Sequence, residues 1–111
     1  MPHCIIEHSS SLKGEELLSP VFQGVLGSAL FTADGSDIKV RALPYSVYQT
    51  GNTGADFVHV TVRILAGRTE VEKQKLSAAV LAAIDSLKLA NCSVTIEIVD
   101  IDRQSYSKSV S

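Results

Sequence analysis

A predicted strand passes into a predicted helix within the stretch Val62-Arg63-Ile64-Leu65-Ala66-Gly67-Arg68-Thr69-Glu70-Val71-Glu72-Lys73-Gln74. Upstream, the residues from Phe57 to Leu65 place apolar side chains at even positions and mostly polar ones at odd positions, which predicts a strand over 57–65 with one buried face. Downstream, Thr69 and Glu72 have the spacing of a capping box. An apolar stripe follows at helical spacing, so we predict a helix from about 70 to 87; its members are Leu76, Ala79, Val80, Ala83, Ile84 and Leu87.

The same succession of elements is found on either side of a turn-rich segment, 50–54. After the helix, residues 94–101 alternate again and predict a last strand. In the first half, residues 3–8 and 38–48 read as strands. Between them we predict a helix over 20–31, because Ser19 is a suitable N-cap and Pro20 suits a first helical position. The order is therefore β-α-β, loop, β-α-β.

This order predicts an α+β fold of two layers. Right-handed crossovers would place both helices on one face of a four-stranded sheet. The 111 residues can bury one core, so we expect a single domain over 1–111, made of two fused β-α-β units at about 2–49 and 56–103.

The sheet face away from the helices has an unusual composition. It is too apolar for comfortable exposure and too charged for an ordinary core, which favours an assembly in which sheets of several subunits enclose a shared interior. There Arg63 and Glu97 could pair. A monomer with one solvated sheet face is the alternative. The residues concerned are Lys39, Arg41, His59, Thr61, Arg63, Thr95 and Glu97, beside Leu43, Val47, Val99 and Ile101.

Composition excludes several classes of function. The formal net charge of -2 argues against a nucleic-acid partner, which would require clustered lysine and arginine. No charged segment precedes an apolar run and no apolar stretch approaches the length of a membrane span, so we expect a cytoplasmic protein without a membrane partner. Cys4 and Cys92 lack metal-ligand spacing and are too few for a disulfide framework, so we expect free thiols and no metal site.

Pro2 is the residue with the clearest chemical potential. Removal of Met1 would leave Pro2 as a free secondary amine at the start of a strand. An α-amino group titrates at roughly 7.7 to 8.0, and burial or neighbouring cations lower that pKa toward the range of a general base. The alternative is that this proline has no chemical role, as in many chains that begin Met-Pro.

Together these features resemble the tautomerase superfamily, whose members assemble β-α-β units with their sheets inward and use an amino-terminal proline as catalytic base. The stretch 62–74 resembles the strand-to-helix junction of 4-oxalocrotonate tautomerase. Most of the chain is similar to the 5-carboxymethyl-2-hydroxymuconate isomerase family, through Pro2-His3, the strand ending in Glu7, the basic stretch 38–41 and the stretch 56–61 leading into Ala66-Gly67-Arg68. This resemblance implies a homotrimer, and one active site per chain because only the first unit begins with proline.

The resemblance also implies a reaction and a set of residues. Pro2 would move a proton in an unsaturated oxo or hydroxy dicarboxylic or tricarboxylic acid of the muconate type, as part of aromatic-compound breakdown and without a cofactor. Arg41 is the first candidate for binding the substrate carboxylate and enolate, with Lys39 as its alternative on the same strand face. Arg68 corresponds to the motif arginine, as a substrate ligand or as a structural residue at the helix start.

Further residues are assigned by their place along the strands. Because strand neighbours alternate faces, His8 shares the face of Pro2 whereas His3 does not. Phe57 and Tyr106 are candidate apolar walls around the proline. His59 is expected to be an interface residue or a buried hydrogen-bonding residue rather than a catalyst. Two other functions remain open: a keto-enol tautomerase of another small 2-oxo acid, and a non-catalytic trimeric protein that binds a small molecule.

Overall fold

The computed structural model describes residues 1–111, which form four strands and two helices. In chain order these are β1 (His3–Ser9), α1 (Glu15–Gly27), β2 (Lys39–Tyr45), β3 (Asp56–Leu65), α2 (Glu70–Asp85) and β4 (Cys92–Ile101), followed by a short 3-10 helix, Arg103–Ser105. The strands form one sheet in the order β2-β1-β3-β4. The predicted α+β fold, with four strands and both helices on one face, is confirmed. No helix combines the length and the apolarity that crossing a bilayer requires.

The pairing of the strands determines which residues meet. β1 and β2 are parallel, as are β3 and β4, whereas β1 and β3 are antiparallel. The beginning of β1 therefore lies beside the end of β3, with His3 opposite Arg63. On the other side, His3 lies opposite Lys39 and Ile5 lies opposite Arg41.

The core lies between the sheet and the two helices. The even residues of β3 from Val58 to Ile64 are fully buried there, as their alternation predicts. The odd residues of β2 lie on the other face, where Lys39 and Arg41 are exposed. Thirteen buried residues form the cluster: Cys4, Ile6, Leu17, Val21, Val25, Ile38, Val58, Val60, Val62, Ile64, Leu76, Val80 and Ile84.

The predicted bounds of the first helix, 20–31, are wrong, because α1 runs from Glu15 to Gly27 and contains Pro20. Pro20 is the sixth residue of α1, beyond the first turn, so it removes one backbone hydrogen bond inside the helix. Leu17 and Val21 are buried on either side of it, which favours the helical conformation. Two acidic residues in the first turn favour the earlier start. The helix ends before Ala29, whose φ of 60° is left-handed.

The two helices approach each other closely at Gly24. A Cβ atom at this position would lie 2.9 Å from the Val80 Cα and 3.0 Å from the Ala79 carbonyl oxygen, both of them backbone atoms of α2. Only glycine allows this contact without movement of a helix. The approach brings the apolar faces of α1 and α2 together over the sheet.

The predicted capping box at the start of α2 is confirmed. The Glu72 N–H donates to Thr69 Oγ1 at 3.1 Å, and the Thr69 N–H donates to Glu72 Oε1 at 2.9 Å. These bonds satisfy two backbone donors that a helix start leaves without partners. They fix the direction in which the chain leaves β3, and therefore the position of Arg68.

Candidate active site

Pro2 is buried immediately before β1, between β2 and β3. Its carbonyl oxygen accepts a hydrogen bond from the Lys39 N–H at 3.1 Å. The preceding residue, Met1, donates from its terminal amine to the Asp37 carbonyl at 3.1 Å, and its Sδ accepts from the Leu65 N–H at 3.3 Å. The terminal segment is thus held from both sides by backbone groups of the neighbouring strands.

The electrostatic environment of the amino terminus disfavours a protonated amine. The pKa of the Met1 terminal amine is lowered from 8.0 to about 6, first by burial and then by the adjacent Lys39, with a smaller effect of Lys108. Asp37 opposes this only weakly. Positive charges and partial loss of water both make the neutral amine the favoured form. A terminal nitrogen at this position can therefore accept a proton near neutral pH.

His3 links the amino terminus to two other elements. The Arg41 Nη1 donates to His3 Nδ1 at 3.4 Å, and His3 Nε2 lies 3.0 Å from Tyr106 Oη. Because arginine has only donors, Nδ1 accepts and the neutral ring carries its proton on Nε2, which donates to the tyrosine. Burial, and then the charge of Arg41, lower the pKa of His3, which favours this neutral form.

A cavity of about 540 Å³ lies beside the amino terminus. Asp37 and Lys39 line it from the start of β2, and Tyr106 and Lys108 line it from the segment that follows the 3-10 helix. Its volume is in the range of small-molecule sites. Lys108 has no motif or periodicity that marks it in the sequence, and sequence reasoning missed it.

The structure brings three of the predicted site residues to this end of the sheet. Lys39 and Arg41 lie close to the terminus through the contacts given above. Arg68 follows the end of β3, which the antiparallel pairing places beside the start of β1. Its guanidinium donates to the Leu30 carbonyl and lies 5.6 Å from the centre of the Phe31 ring. Arg68 therefore connects the loop after α1 to the start of α2.

Two predicted site residues, His8 and Phe57, lie at the opposite end of the sheet. Six residue steps of extended chain separate His8 from Pro2, a distance of about 20 Å. His8 is 1% exposed, and its Nδ1 donates to the Ser9 carbonyl at 2.9 Å. The Phe57 ring packs against Tyr48, with 5.2 Å between the ring centres. Of the two predicted aromatic walls, only Tyr106 lies near the terminus.

The open face of the sheet carries a second polar cluster. His59 Nε2 lies 3.0 Å from Glu97 Oε1, and Thr61 donates to the same oxygen at 3.2 Å. These hydrogen bonds, that of His59 above all, hold the pKa of Glu97 below its usual value. Within the chain Glu97 thus pairs with His59, while Arg63 is exposed and makes no ion pair. No group of three or more His, Cys, Asp or Glu side chains is arranged to hold a metal ion.

A sheet made of two parallel strand pairs, with both helices on one face and a buried proline at the head of β1, has the architecture of the tautomerase superfamily. The family model of 5-carboxymethyl-2-hydroxymuconate isomerase matches residues 2–109. The chain belongs to this family, and both predicted relationships are confirmed. Family membership makes it an isomerase of the tautomerase type.

Solved structures give the same fold. A 5-carboxymethyl-2-hydroxymuconate isomerase from Deinococcus radiodurans R1 is 24% identical with a TM-score of 0.75, over 99% of this chain and 90% of that one. A 5-carboxymethyl-2-hydroxymuconate delta-isomerase is 18% identical with a TM-score of 0.74, over 100% and 89%. A fused 4-OT described as a symmetric trimer is 21% identical with a TM-score of 0.77, over 97% and 92%. A search of curated protein sequences found no match.

Proposed function

We propose that this chain shifts a double bond in an unsaturated oxo or hydroxy dicarboxylic or tricarboxylic acid of the muconate type, with Pro2 as general base once Met1 has been removed. The observation that carries the proposal is the position of the amino terminus beside Lys39. A terminal amine there has its pKa lowered to about 6 by burial and by Lys39. The prolyl nitrogen, one residue further along, would meet the same burial and the same cations.

The proposed reaction needs one proton carrier and a set of cations. The base removes a proton from the carbon next to a carbonyl, a dienolate forms, and the same amine returns the proton to another carbon. Negative charge grows on the enolate oxygen during this step, so nearby cations stabilise the transition state more than the substrate. Lys39, Arg41 and Arg63 lie beside the terminus on the open face of the sheet, opposite His3 or Ile5, and Arg41 also donates to His3.

We assign the substrate contacts accordingly. Arg41 binds a carboxylate and the enolate oxygen through its planar donors. Lys39 adds a second positive charge and, after burial, is the next cause that lowers the pKa of a terminal amine here. Arg68 is held by Leu30 and Phe31, so we assign it to shaping the site rather than to the reacting atoms.

We further propose that the molecule is a homotrimer with the open sheet faces inward and one active site per chain. Leu43 is 51% exposed on that face, and Arg63 has no acidic partner within the chain. Both observations favour contact with another subunit. The fused 4-OT of the same fold is described as a symmetric trimer. Sedimentation equilibrium tests the assembly, and a monomer at micromolar concentration would contradict it.

The decisive experiment combines intact mass with turnover. Mass spectrometry of the purified protein first establishes that Met1 is absent, and proton exchange and isomerisation are then measured with 2-hydroxymuconate. We expect Pro2→Ala to lower kcat at least about 100-fold, in line with the contribution of a positioned base, while the trimer persists. Pro44→Ala, at an exposed position of β2, is the matched control and should retain activity.

The outcomes separate the three candidate functions. Activity on phenylenolpyruvate but not on the muconate would favour a keto-enol tautomerase of another 2-oxo acid. Retention of Met1 in the native host, with small-molecule binding and no turnover, would favour the binding protein. Equal rates for Pro2→Ala and the wild type would exclude Pro2 as the base.

A further inference from the structure

The segment after the last strand is held beside the amino terminus at two points. The Arg103 Nε donates to the Ala66 carbonyl at the junction of β3 and α2. Tyr106 is hydrogen-bonded to His3, the neighbour of Pro2 in sequence, with 3.0 Å between Tyr106 Oη and His3 Nε2. Residues 106–110, which we name the tail, therefore start next to the proposed base.

The tail and the start of β2 face each other across the 540 Å³ cavity. Lys108 contributes an ammonium group from the tail, and Lys39 contributes one from the sheet. Neither lysine forms an ion pair with an acidic side chain. The Lys39 Nζ donates to a neutral partner, the Asp37 carbonyl at 2.9 Å. Two positive charges thus line one cavity, and neither forms an ion pair with Asp37, the one acidic residue of the lining.

We propose that the tail forms one wall of the substrate pocket and that Lys108 binds a second carboxylate of the substrate, selecting dicarboxylic over monocarboxylic acids. The inference rests on the proposed function, since it takes the amine beside this cavity to be the base. Lys39 holds the acid at the sheet side of this cavity, with Arg41 two residues further along β2, and Lys108 holds the far end of the acid from the opposite wall. A lysine acts here as a charge on a flexible stem, which tolerates acids of somewhat different length.

The test compares the wild type with Lys108→Gln, after loss of Met1 has been verified in both. Steady-state kinetics use 2-hydroxymuconate, a dicarboxylate, and phenylenolpyruvate, a monocarboxylate. Calorimetry measures the Kd of cis,cis-muconate, a dicarboxylate that lacks the hydroxyl group needed for tautomerisation. Lys75→Gln is the matched control, because Lys75 is exposed on α2 and makes no ion pair.

For Lys108→Gln we expect KM for 2-hydroxymuconate and Kd for muconate to rise about tenfold, with kcat changed less than about twofold, as for loss of one charged hydrogen bond at a partly exposed site. The phenylenolpyruvate constants should not change. Tyr106→Phe should show the same selectivity with a smaller rise, because the tail loses its bond to His3. Lys75→Gln should match the wild type in every measurement.

Equal losses on both substrates, an unchanged KM for 2-hydroxymuconate, or no binding of muconate to the wild type would each overturn the inference. A Tyr106→Phe variant with unchanged constants would overturn the anchoring of the tail. The two proposals fail separately. Muconate binding that depends on Lys108 without any turnover would refute the proposed function alone, whereas normal turnover that is indifferent to Lys108 would refute the inference alone.

Discussion

Replacing Lys39 with glutamine should raise the pH at which the proposed base becomes active. Burial is the largest cause of the lowered pKa of the terminal amine, and the hydrogen bond and charge of Lys39 come next. Lys39→Gln removes both effects of the lysine and leaves the burial. A base acts only when it is deprotonated. A lowered pKa therefore extends activity to lower pH, and a raised pKa confines activity to higher pH.

The size of the effect follows from the titration curve. With a pKa of about 6, against the ordinary 8.0, the Met1 amine is roughly nine-tenths neutral at pH 7 instead of roughly one-tenth. In the wild type we expect the prolyl nitrogen to share this lowering of the pKa, so kcat/KM should rise with pH through a midpoint below the ordinary 8.0 and level off above it. For Lys39→Gln we expect the midpoint to move upward by about one pH unit, since burial still acts.

The assay is kcat/KM for 2-hydroxymuconate over the pH range on both sides of that midpoint. Lys39 is also a candidate substrate ligand, so the position of the midpoint is the diagnostic quantity and not the plateau. The pH dependence of alkylation of the terminal nitrogen, followed by intact mass, gives the same midpoint without substrate. Lys75→Gln carries the same charge change on α2 and should leave the midpoint in place. A wild-type midpoint near 8, or one that is identical in the wild type and Lys39→Gln, would refute the reasoning.

Three further predictions concern binding and stability. Arg41→Ala should raise KM and lower kcat together, because we assign its guanidinium to both the substrate and the transition state; a change in KM alone would assign it to binding only. Gly24→Ala should lower the free energy of unfolding by about 1 to 2 kcal/mol despite the better helix propensity of alanine, because the new Cβ would meet the backbone of α2. Gly27→Ala is the control: a Cβ there has nothing within 4 Å and should stabilise the protein slightly in the same denaturation assay. Thr69→Ala should cost about 1 kcal/mol through loss of the cap, and an unchanged melting temperature would contradict this.

Local patterns predicted the elements correctly where one signal dominated. The alternation in β3 and the capping box of α2 both correspond to the observed strand and helix, because each depends on neighbours within a few residues. The first helix was misplaced because two signals conflicted. Pro20 suits a helix start, but the burial of Leu17 extends the helix toward the amino terminus. Burial is a property of the packed molecule and overrode the local preference.

By itself the sequence determined the order of the elements, the chemical identity of the proposed base and the presence of cations on the strand after the first helix. Which residues share one end of the sheet was decided by the tertiary structure. The antiparallel pairing of β1 with β3 places Arg68 at the same end of the sheet as Pro2 and leaves Phe57 at the opposite end. The return of the chain after β4 brings Lys108 to the cavity that Lys39 lines. These contacts join residues that are far apart in the chain. They depend on which strands pair, and no local periodicity in the sequence encodes that pairing.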